Sequence, residues 1–175
     1  MDVKRESQTT TYPVGSVLPQ KYLNTPQQGY CHLLQKYDWQ WFVTLTFADP
    51  PHPEAAEKKF RLWVNRLNDR IYGKNWRRRT SGIYWCKALE YTKAGVIHFH
   101  ALCGDVEPLY DKMQRQDAAK LWWPLGGIAK IDPIDNRDIA VLNYVSKYTI
   151  KGGELDFPDH MLKIPYQHRA LSHII

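Results

Sequence analysis

The sequence predicts an α+β fold of the ferredoxin-like type: a split βαβ (RRM-like) antiparallel sheet with an added C-terminal helix. Three observations carry this reading. Short runs rich in β-branched and aromatic residues alternate with segments whose apolar residues recur at helical spacing. A glycine-containing three-residue loop joins the second and third of those runs. A last helical pattern follows the fourth run, giving the order β-α-β-β-α-β-α.

Residues 1–37 are polar, with Thr, Gln, Pro and Gly and no sustained period, and read as an N-terminal arm. Trp39–Phe47 (WQWFVTLTF) reads as the first strand, and Asp49-Pro-Pro-His-Pro53 ends it. His52, between two prolines, is a turn residue. From Glu54 to Tyr72, Phe60, Trp63, Val64, Leu67 and Ile71 follow helical spacing, and Gly73 is the stop. Lys74–Arg79 is a basic loop. Gly82–Tyr91 and Gly95–Cys103 are the second and third strands, joined by Lys93-Ala94-Gly95 with Gly in the left-handed position. This loop length pairs Tyr91 with Ile97 and Glu90 with His98. Pro108–Trp122 reads as a second helix, Gly126–Ile131 as a short fourth strand, and Arg137 to about Ile150 as a third helix. No pattern in Gly152–Ile175, with Pro158 and Pro165, assigns that tail. The organisation expected is therefore an arm (1–37), one domain (38–152) and a C-terminal extension (153–175). One face of the sheet is expected to be covered by helices and the other to be open.

The totals bound the function. The chain has 175 residues, 43% of them hydrophobic, which suits one globular domain. No apolar run approaches the roughly 20 residues needed to span a bilayer, and no signal-peptide pattern opens the chain. Cys31, Cys86 and Cys103 are odd in number and widely spaced, which argues against a disulfide framework or a zinc finger and for a reducing, cytoplasmic setting. A net charge of +6 allows a polyanionic partner. Seven Trp and eleven Tyr interleaved with Arg and Lys suit stacking on unpaired bases.

Two segments carry chemistry. In Val96-Ile-His-Phe-His-Ala-Leu102, strand alternation puts His98 and His100 on one face and Ile97, Phe99 and Ala101 on the other. The register above adds Glu90 to the histidine face, with Cβ atoms about 5 Å from its cross-strand neighbour. Two imidazoles and a carboxylate suit a divalent cation with open positions, Mn²⁺ or Mg²⁺. In the third helix, Tyr144, Lys147, Tyr148 and Lys151 share one face, opposite Ile139, Leu142, Val145, Thr149 and Ile150. Nearby cations favour a phenolate, and a lysine can neutralise charge in a transition state.

These segments resemble the motifs of the HUH endonuclease superfamily, and within it the rolling-circle replication initiators of small plasmids and viruses. Phe42-Val-Thr-Leu-Thr-Phe47 is similar to their first motif, His98-Phe99-His100 to their second, and Tyr144-Val-Ser-Lys147 with Tyr148-Thr-Ile-Lys151 to their Tyr-x-x-Lys motif, here doubled. All fall in the family's order over residues 39–151. The resemblance implies the same fold and a site-specific single-strand DNA endonuclease and ligase. It would nick a replication origin, often at a hairpin, and leave a 5′-phosphotyrosine and a free 3′-OH for host replication machinery. It implies Glu90, His98 and His100 as metal ligands and Tyr148 as first nucleophile. Tyr144 would serve in joining, with Lys147 and Lys151 beside them. Thr44, Thr46, Arg77, Arg78 and Arg79 would contact DNA and Trp76 would stack on it. No Gly-x-x-x-x-Gly-Lys-Ser/Thr is present, so no attached helicase is expected. The alternatives are a single-tyrosine transposase, a relaxase, which usually carries a third histidine, and a non-catalytic single-strand binder on the same sheet.

Overall fold

The computed structural model describes residues 26–92, 95–105, 107–134, 139–146 and 155–162. Its strands are β1 (Trp39–Thr46), β2 (Tyr84–Tyr91), β3 (Ile97–Gly104), β4 (Ala129–Pro133) and β5 (Leu155–Asp156). Its helices are α1 (Pro26–Leu34), α2 (Pro53–Tyr72), α3 (Leu109–Lys112), α4 (Arg115–Trp122), α5 (Ile139–Ser146) and α6 (Asp159–Leu162). The sheet order is β4-β1-β3-β2-β5, with every pairing antiparallel. The first four strands in this order, with α2 and α4 in the two crossovers, make the ferredoxin-like unit.

Alternation along β1 separates two cores. Trp41, Val43, Leu45 and Phe47 join Phe60, Trp63, Val64 and Leu67 of α2 and Ala118 and Trp122 of α4 beneath the sheet. The N-terminal proline of α2 suits a first turn that needs no N–H, and its apolar stripe faces that core. Gly73 closes the helix at φ +84°, a conformation side chains disfavour.

The hairpin has the expected register. Tyr91 opposes Ile97, and Glu90 opposes His98. Gly95 takes φ +77°, and Thr92 N–H donates to the Val96 carbonyl at 2.9 Å.

Four features differ from the sequence reading. The second face of the sheet is not open: α1 and α5 lie on it, with Cys31, Leu34, Leu142 and Val145 packed against Trp39, Cys86, Ala88 and Leu102. Pro26–Leu34, read as part of the arm, is therefore a packed helix. Its polar Pro-Gln-Gln-Gly start hides a short stripe made by Cys31 and Leu34. The helix expected over 108–122 breaks at Met113, whose extended backbone turns its side chain into the core that already holds Leu109. The fourth strand starts at Ala129 because Gly126 and Gly127 form the turn before it. A Cβ at Gly126 would collide with the Trp122 indole. Finally, the unassigned tail supplies β5, pairing Asp156 with Lys87 and Leu155 with Ala88. Two residues are too few for alternation to be visible in sequence.

Candidate active site

Alternation sends Phe42, Thr44 and Thr46 of β1 to the face of β3 that carries His98 and His100. Cross-strand pairs are Thr44 with His100 and Thr46 with His98, and on the other side Ala88 with His100 and Glu90 with His98. The site is thus set by three strands in fixed register, with rigid backbone under every functional group.

Each imidazole is held by a threonine. Thr46 Oγ1 lies 3.1 Å from His98 Nδ1, and Thr44 Oγ1 lies 3.3 Å from His100 Nδ1. Phe42 stacks on His100 with 5.9 Å between centroids and 7° between planes. Engaging Nδ1 fixes the ring and leaves Nε2 turned to the site, the arrangement that orients histidine ligands. His100 Nε2 meets Glu90 Oε2 at 3.0 Å. So Glu90 opposes His98 in the backbone register but reaches diagonally to His100 with its carboxylate. His100 is buried and His98 half-buried. Among the described residues no group of three His, Cys, Asp or Glu side chains is close enough together to hold a metal ion. Two of the three donors touch. The third shares their face and is held beside Thr46. The donor types suit a divalent cation with open positions.

Helix α5 reaches this face. Leu142 and Val145, two members of the expected apolar stripe, are buried in the core that includes Ala88, the cross-strand neighbour of His100. Tyr144 lies in α5 between them. The side chain of Tyr144, and all of Lys147, Tyr148 and Lys151, lie outside the described residues.

The basic loop sits elsewhere. It precedes β2, whereas Glu90 is near the end of β2, six residues beyond Tyr84, or about 20 Å along the strand. Arg77, Arg78 and Arg79 are exposed there. Arg77 bonds Asn65 Oδ1 at 2.7 Å, and the Arg79 guanidinium donates to the Tyr72 carbonyl. Trp76, expected to stack on DNA, is instead only 8% exposed, with the Arg77 guanidinium 4.5 Å from its ring centroid. It fills the gap beside Gly82, where it is not open to a base. Thr44 and Thr46, expected against DNA, have their hydroxyls on the histidines.

Sequence reasoning missed Lys87 and Asp105. Lys87 is 3% exposed on the helix-covered face of β2. Its ammonium meets both Glu57 carboxylate oxygens at 2.7 and 2.9 Å and Asp156 at 3.3 Å. The signal was present: Trp85, Lys87 and Leu89 share a strand face, and a cation inside such a row needs buried partners. Asp105, just after β3, accepts from Lys112 at 2.7 Å and from the Tyr72 hydroxyl. Burial, and then the bond to Asp105, push the Tyr72 phenol far above its ordinary value. Burial alone would lower the Lys112 ammonium, but its bonds to Asp105 and Glu107 outweigh this and raise it. Both clusters are structural and lie away from the histidine face. Cys31, Cys86 and Cys103 are free and buried. Burial pushes all three thiols up, Cys103 to about 12.

A ferredoxin-like sheet with two threonine-held histidines and a glutamate on one face, overlaid by a helix carrying a tyrosine, defines a class of nucleic-acid-processing domain. The model of a family of replication-associated proteins, the ORF2 type, matches residues 40–153, well over half of the chain. The chain belongs to this family, and its role is in DNA replication. No curated protein and no solved structure matches it. Among the described residues, no helix is long and apolar enough to cross a membrane.

Proposed function

We propose that the protein is an HUH-type, site-specific single-strand DNA endonuclease and strand transferase that starts rolling-circle replication. The observation that carries this reading is the shared face. Glu90 meets His100 there, His98 lies in register beside them, and α5, which begins the Tyr-x-x-Lys segment, packs on it through Leu142 and Val145. The family match to a replication-associated protein supports it.

Glu90, His98 and His100 would hold a Mn²⁺ or Mg²⁺ ion. Such an ion supplies Lewis-acid polarisation of a phosphate oxygen. The chain's own groups do the rest. Thr44 and Thr46 fix the two imidazoles, and Phe42 buttresses His100. The Tyr148 phenolate attacks phosphorus, an oxygen–phosphorus bond forms, and the bond to O3′ breaks. The 3′ oxygen takes a proton and leaves as a hydroxyl. Lys147 and Lys151 offset the phosphorane charge, and Tyr144 serves the later transfer that rejoins a strand. The substrate is single-stranded DNA at the origin, presented by a hairpin, in a host-cell cytoplasm with host replication proteins using the free 3′ end.

Incubation with a random-sequence single-stranded oligonucleotide pool and Mn²⁺, followed by a denaturing gel, tests the reading. A covalent protein–DNA band that is lost in Tyr148→Phe is expected. Cleavage with no adduct in the native chain would overturn the tyrosine mechanism.

A further inference from the structure

The register that places the histidines also places the edge strand β4 beside them. Thr44 opposes Lys130 and Leu45 opposes Ala129. One step further, Thr46 opposes Ile128, whose carbonyl accepts the Thr46 N–H at 2.8 Å. Alternation then puts Ile128 and Lys130 on the histidine face, while Ile131 points into the core beneath the sheet. Two rows cross the strands: Ile128, Thr46, His98, Glu90, and Lys130, Thr44, His100, Ala88.

The other approaches to these rows are occupied. On the opposite margin β5 lies against β2 at Lys87 and Ala88. At the far end of the face α1 and α5 cover Cys86 and Leu102. The β4 margin differs. Ile128 is 63% exposed, and Trp123, on the loop leading into β4, is 70% exposed. The Lys130 side chain is 74% exposed, with the surface carboxylate of Asp132 at 2.8 Å. That pair is solvated and easily exchanged for another anion. The loop itself is fixed, with Ala48 N–H on the Gly126 carbonyl at 2.7 Å and the Trp122 indole N–H on the Thr46 carbonyl at 3.2 Å. Two large apolar side chains held in water beside a cation, two strands from the histidines, are the elements of a single-strand track: faces for bases and a charge for the backbone.

We propose that single-stranded DNA reaches the histidine site across the β4 margin, with bases lying on Trp123 and Ile128 and a phosphate on Lys130. This rests on the strand-transferase reading for its substrate, but it assigns residues that neither the basic loop nor the motif residues supply. The Arg77–Arg79 loop, at the other end of the sheet, is then outside this track.

Fluorescence anisotropy with a random-sequence single-stranded oligonucleotide pool in EDTA measures the track without cleavage. Trp123→Ala is expected to weaken binding about ten-fold, and Ile128→Ala by a smaller factor in the same direction. Lys130→Ala is expected to lower the slope of log K against log salt by about 0.7. Photocrosslinking of the native chain to an iodouridine-substituted pool is expected to label the 123–130 segment. Native affinity in both the Trp123 and Ile128 variants, or crosslinks confined to other segments, would overturn the proposal. Absence of adduct from the native chain in Mn²⁺, with the binding losses intact, would instead overturn the nicking reading and leave the track standing.

Discussion

Lys87 offers a test of how the sheet is tied to its surroundings. Its ammonium is buried between the rings of Phe60 and Phe99, 5.3 and 4.9 Å from their centroids, and bonded to Glu57 and Asp156. The carboxylate side chains are 34% and 35% exposed, whereas the lysine side chain is 4% exposed. The two sides of the pair should therefore respond unequally. Lys87→Met leaves two carboxylates that water can still reach and an apolar side chain among phenylalanines. A change within about 1 kcal/mol of the native stability is expected, since apolar replacement of a buried ion is often neutral. Glu57→Ala with Asp156→Asn strands the cation in the core. Losing one side of a buried pair costs about 3–5 kcal/mol, and partial exposure of the carboxylates brings the expectation to about 2–3. For a chain of this length that is a fall of roughly 4–12 °C in Tm. Urea titrations of the four species, read as shifts in midpoint at constant slope, give the values. Equal losses from the two sides, or a double-variant loss below about 0.5 kcal/mol, would refute the reasoning, because the lysine would then be effectively solvated.

His98→Ala and His100→Ala should each abolish adduct formation with little change in the circular dichroism spectrum, and activity of either in excess chelator would sink the metal assignment. Glu90→Ala should raise the Mn²⁺ concentration needed for half-maximal adduct; an unchanged requirement would remove Glu90 from the ligand set. Tyr144→Phe should keep the first nick and impair joining, which mass spectrometry of the trimmed adduct and a strand-transfer assay would separate. Replacing Arg77, Arg78 and Arg79 together should leave adduct formation on short oligonucleotides near native, because their loop is at the opposite end of the sheet. Stability should fall as pH rises above about 9. The folded state holds the Cys103 proton up to about 12 while an unfolded thiol releases it near 9.0, so this contribution is full below pH 9 and lost toward 12. Alkaline urea titrations of Cys103→Ala should show a shallower decline.

The parts legible in sequence were those governed by short-range rules. The left-handed Gly95 fixed the hairpin length, and the hairpin length placed Glu90 across from His98. Period-two alternation placed both histidines on one face. Helical spacing placed Leu142 and Val145 in a core. What was not legible depends on distant partners. Leu34 and Cys31 are too few to signal a helix without the sheet face that receives them. Leu155–Asp156 becomes a strand because the β2 edge and the Lys87 ammonium are there to meet it. Trp76 reads as an exposed aromatic in a basic loop, and only the space beside Gly82 shows where the ring goes. The diagonal reach of Glu90 to His100 is a side-chain choice that backbone register does not decide.

Val145 and Leu155 belong to the same core, on the face that carries His98 and His100. The stretch of chain between them therefore starts and finishes on that face. Tyr148 is three residues from Val145, so its backbone stays within about 11 Å of an anchored point. A nucleophile tethered this closely meets the histidine site at a high effective molarity, and the encounter is intramolecular. No second subunit has to donate the phenol. Adduct formation per protein molecule is then independent of protein concentration, and mixing a Tyr148→Phe chain with a His98→Ala chain restores nothing.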